Sequence, residues 1–432
     1  MENKYDKYKD SGIEWIGEIP EHWEVIKIKN AFSIISGATP KTDNIAYWDG
    51  EITWITPADY KTEDIIIKAG KRNITIEGLN SCGTSIVPQG SIIFSKRAPI
   101  GLVAINAAPL CTNQGCISCI PKTFVHAKYF YYLMSILTEW FELFGSGTTF
   151  KELSTNNFAN FSLSQPFLTE QQSIATYLDQ KCGEIDELIT LQEEMITKLQ
   201  SYKQSVITEA VTKGLDKNAP LKDSGIEWIG EIPEHWDICK LKNIFLLSTG
   251  TTPKEFDNIS ERENLVNWYT PSDILDSCND LFSAQRKLSE KVIYENKLSL
   301  FPIGTLLYVG IGASAGKVGY ANECGYSNQQ ITGLIPLKCY SRFYFYYLSV
   351  LKDKIRDNAF FTTLPIINNT YLGQELIPYP PLPEQQSIAD YLDRKCGEID
   401  KLISIKQQKI EKLKDYKKSL IFECVTGKRK VC

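Results

Sequence analysis

Lys9-Asp-Ser-Gly-Ile-Glu-Trp-Ile-Gly-Glu-Ile-Pro-Glu-His-Trp23 occurs twice in this chain, the second time unchanged as Lys222–Trp236. A second block, Glu170-Gln-Gln-Ser-Ile-Ala-Thr-Tyr-Leu-Asp-Gln-Lys-Cys-Gly-Glu-Ile-Asp186, returns as Glu384–Asp400. Only two positions differ: Asp390 replaces Thr176 and Arg394 replaces Gln180. The displacements are 213 and 214 residues, close to half of the 432-residue chain. Solenoid repeats have periods of roughly 20–50 residues, so this period marks a duplicated domain pair.

Between the blocks the halves diverge, yet landmarks persist at the same displacement. Thr39-Pro40-Lys41 matches Thr252-Pro253-Lys254, and Trp54-x-Thr56-Pro57-x-Asp59 matches Trp268-x-Thr270-Pro271-x-Asp273. Pro88-x-Gly90, Asn113-Gln114 and Tyr131-Tyr132-Leu133 return as Pro302-x-Gly304, Asn328-Gln329 and Tyr346-Tyr347-Leu348. Near-identical ends do one job twice. Diverged middles on a kept framework suit two modules that read different targets.

Composition narrows the class. Hydrophobic residues make up 43% and charged residues 23%, which is globular and not disordered. There is no run of about 18 uncharged apolar residues, so no transmembrane helix is expected. The opening Met1–Asp10 lacks the apolar core of a signal peptide. Twelve cysteines are too dilute here for a disulfide scaffold, which points to reduced thiols and a cytoplasmic location. The net charge of −5 means that a polyanion must be met by local basic patches.

The segment from Gln171 to about Val211 reads as one long helix. It lacks Pro, and Ile185, Leu188, Met195 and Leu199 recur at 3-4 spacing around a polar Gln192. The second copy supplies Ile399, Leu402, Leu413 and Tyr416, with Lys406 in the place of Gln192. Thr169 is the expected cap of the first helix, and Pro383 suits the start of the second. A seam of this length needs a partner, and the partner at hand is the duplicate. The expected fold is therefore mixed α/β: two globular domains joined by two long, coiled-coil-like antiparallel helices, with pseudo-two-fold duplication. The segments are 1–167, 168–214 (first helix), 215–381 and 382–432 (second helix). In the middles, Ile52–Ile55, Ser91–Phe94 and Thr305–Tyr308 read as strands, and Tyr129–Leu137 and Phe343–Leu351 as buried helices.

Catalytic signatures fail one by one. Gly310-Ile-Gly-Ala-Ser-Ala-Gly-Lys317 is followed by Val318, where a phosphate loop needs Ser or Thr, and its glycine spacing is wrong. It reads as a Gly-rich turn that is either plain or brings backbone close to a ligand. Pro378-Tyr-Pro-Pro-Leu-Pro383 has Tyr379 where an amino-methyltransferase needs Asn or Asp, and reads as a stiff connection. Cys111, Cys116, Cys119 and His126 have loosely zinc-like spacing. The second half carries Tyr326, Ile331 and Leu334 in the comparable stretch, which favours buried thiols over a framework metal. His22 and His235 lie in the repeated ends, where a structural hydrogen bond is expected.

Candidate DNA-contacting residues are polar or basic and sit at matched places in the diverged middles. In the first half they are Thr39, Lys41, Lys96, Arg97, Asn113, Gln114, Thr148, Thr149 and Lys151. In the second they are Thr252, Lys254, Ser314, Lys317, Asn328, Gln329, Thr362 and Thr363. Lys and Arg supply phosphate contacts, whereas Arg, Asn and Gln can also read base edges in pairs of hydrogen bonds.

On the repeated Ser11–Trp23 segment, the Glu-Gln-Gln-Ser-Ile-Ala blocks at 170 and 384 and the long helices after them, the chain resembles the specificity subunit of type I restriction-modification systems. The resemblance covers essentially the whole length. It implies two target-recognition domains, each reading half of a split double-stranded DNA site, and helices that set the spacing. It also implies docking of two methyltransferase subunits that use S-adenosylmethionine, and restriction subunits that add ATP- and magnesium-dependent cleavage. This chain would then carry no cofactor, metal or catalytic residue of its own. The competing classes are a fused enzyme, which would need the missing motifs, and a spacer that binds only protein.

Overall fold

The computed structural model describes residues 4–60, 65–146, 151–254, 265–275, 279–357, 360–361 and 365–431. The chain divides into two compact units: residues 1–192 with 407–432, and residues 193–406. Each unit thus takes half of each long helix.

The first unit is built on a five-stranded sheet. Its strands, in spatial order, are Phe32–Ser36, Cys116–Pro121, Ile92–Lys96, Ile100–Asn106 and Ile66–Ile67. The first four pair antiparallel and the last is parallel to its neighbour. Helix Ala127–Ser135 buries Tyr129, Phe130, Tyr132, Leu133 and Met134 in the core that contains Phe32, Ile92 and Phe94. A smaller sheet of three strands, in the order Cys111–Thr112, Trp48–Ile55 and Arg72–Ile74, stands beside it.

The second unit repeats this plan strand for strand. Its five-stranded order is Phe245–Thr249, Ile331–Pro336, Leu306–Val309, Val318–Ala321 and Asn279–Leu281. Its three-stranded sheet is Arg286–Ser289, Leu265–Tyr269 and Gly325–Ser327, and its buried helix is Ser341–Asp357.

The long helices are Leu168–Lys213 and Leu382–Val425. The first begins earlier than the sequence predicts. Thr169 is therefore not its cap but lies in its first turn, where its carbonyl accepts from the Ser173 hydroxyl. In the first unit Lys417 Nζ meets the Asp186 carboxylate at 2.7 Å, and in the second Lys203 Nζ meets Asp400 at 2.7 Å. These two pairs are one another's duplicates.

The seam itself needs correcting. Its least exposed positions on the first helix are Cys182, Ile185, Ile189, Gln192, Ile196, Leu199, Lys203, Val206 and Ala210. On the second they are Cys396, Ile399, Ile403, Lys406, Ile410, Leu413, Lys417, Leu420 and Cys424. Both rows step by alternating threes and fours, the heptad seam of a coiled coil. Of the predicted seam residues, Ile185, Leu199, Ile399 and Leu413 belong to it. Leu188, Met195, Leu402 and Tyr416 do not: they are 43%, 43%, 47% and 52% exposed. They form a second stripe just beside the seam, whose spacing mimics it.

The repeated blocks have a structural reason. Buried Gln171 accepts from the His126 backbone N–H and donates to the carbonyls of Phe124 and Pro166. Buried Gln385 accepts from Tyr340 N–H and donates to Pro380. Each amide fastens the start of a long helix to its domain, as buried polar groups must be paired. His22 Nε2 lies 2.9 Å from Glu170, and His235 Nε2 lies 2.7 Å from Glu384, which joins the two repeated blocks of each unit. Trp23 and Trp236 are fully buried. In the second unit the end of the first helix, Gly214, abuts Trp236; in the first unit the end of the second helix, Gly427, abuts Trp23. Lys428 Nζ also donates to the Glu18 carbonyl, so the two ends of the chain meet in one unit.

Candidate nucleic-acid interface

The matched landmarks of the diverged middles converge on one end of the three-stranded sheet. In the first unit Thr56-Pro57-Ala58-Asp59 folds into a turn in which Asp59 accepts from the backbone N–H and hydroxyl of Thr56, 2.8 and 2.6 Å away. The other Asp59 oxygen accepts from Lys71 N–H at 2.9 Å and thereby fixes the start of the edge strand. Thr270 and Asp273 repeat this box, with Gln285 N–H in the place of Lys71 N–H at 2.8 Å.

The indole of Trp54 donates to the Ala38 carbonyl at 3.1 Å, and Trp268 donates to the Thr251 carbonyl at 3.4 Å. Each holds the Thr-Pro-Lys loop against the sheet end. Gly37 and Gly250 make that approach possible, because a Cβ on either would sit within 2.5 Å of the neighbouring backbone oxygens. Thr39 then hydrogen-bonds Gln114, and Thr252 hydrogen-bonds Gln329. Asn113 and Asn328 are turn formers. Their side-chain oxygens accept from the N–H groups of Gly115 at 2.8 Å and Gln330 at 3.1 Å, which pushes Gln114 and Gln329 outward. Lys41 and Lys254 are exposed beside them. Eight predicted residues, four per unit, thus come together in the same constellation twice.

The other predicted residues lie at the strand ends of the larger sheet, and there the units differ. Lys96 and Arg97 both pair with Glu152, at 2.9 and 3.5 Å. The hydrogen bond from Lys96 holds the Glu152 carboxyl below its ordinary pKa, so this contact stays charged. Exposed Lys151 adjoins the group. In the second unit, Ser314 and Lys317 belong to the glycine-rich connection 310–317, which joins two antiparallel strands. Thr148, Thr149, Thr362 and Thr363 lie outside the described residues.

Cys111, Cys116 and Cys119 are buried strand residues, and burial pushes the first two thiols up to about 12 and the third higher still. They are packing groups at neutral pH. Among the described residues no helix is long and apolar enough to cross a membrane.

Sequence reasoning passed over one matched pair, Arg72 and Arg286. Each stands directly opposite the landmark tryptophan, Trp54 or Trp268, on the antiparallel neighbour strand. Their displacement of 214 residues was the available signal.

Comparison with known proteins gives one consistent likeness. The profile of the type I restriction modification DNA specificity domain matches twice, over residues 20–200 and 233–415. The MjaIX specificity subunit of a type I restriction enzyme from Methanocaldococcus jannaschii is 29% identical, over 96% of this chain and 95% of the relative. The MjaVIII specificity subunit of the same organism is 24% identical over 96% and 94%. A chain from a solved type I restriction-modification system superposes with a TM-score of 0.73 at 17% identity, covering 94% of this chain and 98% of that one. The HsdS subunit of Thermoanaerobacter tengcongensis superposes with a TM-score of 0.54 at 16% identity, covering 95% and 98%.

Proposed function

The chain belongs to the type I restriction-modification DNA specificity family, and on that premise we propose that each globular domain reads one half of a split double-stranded DNA site. The observation that carries this reading is the doubled sheet-end constellation, with Thr39, Lys41 and Gln114 repeated as Thr252, Lys254 and Gln329 on one framework, while the loops beside it differ. One framework with two surfaces is what an asymmetric two-part site requires.

The long helices set the spacing between the half-sites and dock two methyltransferase subunits. Support for docking comes from the stripe beside the seam. Leu188, Leu191 and Tyr202 are exposed on the first helix, and their duplicates Leu402, Ile405 and Tyr416 are exposed on the second. Apolar rows kept exposed at equivalent places fit equivalent partners. The methyltransferase subunits carry S-adenosylmethionine. Restriction subunits, where joined, bring ATP and magnesium. This chain orients DNA and takes no part in bond making, and it works in the cytoplasm.

The test is reconstitution with the host's methyltransferase subunits and labelled S-adenosylmethionine. The proposal expects methyl transfer only in the complex, at a bipartite motif, with binding that weakens steeply as salt rises. Methyl transfer by the isolated chain would favour an enzyme instead, and salt-independent association without DNA would favour a protein-only spacer.

A further inference from the structure

Residues duplicated in two reading domains differ in meaning from residues that are not. If the half-sites differ in sequence, a side chain kept at the same place in both domains cannot read what differs. It can read what the half-sites share, the sugar-phosphate backbone. This argument rests on the reading above, that each domain binds half of a DNA site.

Arg72 and Arg286 meet this criterion. Both are exposed, and both face the landmark tryptophan in the same strand register. Both directly follow the residue whose backbone N–H is held by the turn aspartate, Asp59 or Asp273. Among the described residues, no carboxylate lies within ion-pairing distance of either arginine, unlike Lys96 and Arg97 with their Glu152. In the first unit the guanidinium of Arg72 lies 3.7 Å from the ring centre of Trp48. Trp48 in turn packs edge-on to Trp54 at 5.1 Å, and its indole donates to the Lys41 carbonyl at 3.1 Å. A planar cation stacked on a fixed ring is pre-organised and keeps its outward N–H groups available. Arg72 and the Thr39-Pro40-Lys41 loop therefore flank one aromatic support.

We propose that Arg72 and Arg286 are equivalent phosphate contacts, one in each half of the bound DNA. Base reading then falls to side chains that differ between the units, above all the group around Lys96 and Arg97 and the 310–317 connection.

The experiment uses the chain assembled with its methyltransferase subunits, and two duplexes: one carrying the methylated motif and one unrelated. Arg72→Ala and Arg286→Ala should each weaken binding to both duplexes. Each should make the log-log salt slope shallower by about 0.9, and the double variant by about 1.8, with the methylated motif unchanged. Between 50 and 200 mM salt each single variant should then lose affinity about 3.5-fold less than wild type does, as that slope implies. Arg72→Lys keeps the cation without the planar stack and should keep the wild-type slope, which separates charge from folding. Relaxed specificity at one half-site would show a base contact and overturn the proposal. So would variants with the wild-type slope, or a lysine variant that behaves like alanine. A wild-type complex with no salt-dependent DNA binding would overturn the underlying functional reading as well.

Discussion

At one backbone position the two units make opposite chemical choices. Arg97 forms an isolated antiparallel bridge with Glu152, and Leu153 N–H donates to the Lys96 carbonyl at 2.9 Å. In the second unit Ile311 bridges Ile366, and Ile367 N–H donates to the Gly310 carbonyl at 2.7 Å. All four positions correspond at a displacement of 214 residues. The backbone pairing is the same, yet an ion pair in one unit is replaced by two isoleucines in the other. The strand connections diverge too: Ile92–Lys96 and Ile100–Asn106 are joined by three residues, Leu306–Val309 and Val318–Ala321 by eight. Backbone hydrogen bonds are indifferent to side chains, so this framework can be kept while the surface it presents is rewritten.

The largest test of that division concerns the helices, where little has diverged. Seven residues inserted after Gln192 and seven after Lys406 keep both heptad rows in phase. The gap between methylated half-sites should lengthen while each half-site keeps its bases, and methylation at the original sites should be lost. Sequencing of methylated DNA reads this directly. An unchanged gap would separate spacing from the helices.

A smaller effect is expected at the clamps. Gln171→Ala leaves one backbone N–H and two carbonyls without their buried partner, and Gln385→Ala leaves one N–H and one carbonyl. Each should cost about 3 kcal/mol, with the Gln171 variant the worse. Denaturant unfolding monitored by circular dichroism would show it, and losses below about 1 kcal/mol would mean the duplicated amides are not what holds the helix starts.

Smallest is the effect at the diverged bridge. Glu152→Gln frees Lys96 and Arg97 from their carboxylate. Binding to any duplex should tighten by roughly threefold at low salt, the size of one exposed ion pair. The sign of the pH dependence follows from the depressed pKa of Glu152. The stabilisation from its pairing is complete above the ordinary carboxylate pKa and fades as pH falls through the lower folded value. Wild type should therefore approach the variant's DNA affinity only in strong acid, in fluorescence anisotropy titrations. Unchanged affinity in the glutamine variant would remove Lys96 and Arg97 from the surface that meets DNA.

The duplication was legible because the chain supplies its own comparison, and with it the two-unit plan. Candidate residues Thr39, Gln114 and their duplicates were legible for the same reason. The seam was only half legible. Gln192, Lys203, Lys406 and Lys417 occupy seam positions where an apolar residue is the norm, and the last of these reaches out to Asp186. Leu188, Met195 and Tyr416 lie one step aside and supply the missing apolar rhythm. Periodicity alone cannot separate a packed row from an exposed one at the same spacing. Arg72 and Arg286 were missed because their partnership with Trp54 and Trp268 is set by strand register, which pairs residues 18 apart in sequence in both units.

The central claim is that the two domains read independently. Its most direct test replaces residues 24–167 with the corresponding middle of a related chain and maps methylated sites in cells that carry the hybrid. The account predicts a motif with one new half-site, the other half-site unchanged, and the gap between them preserved. A motif altered in both halves would contradict it.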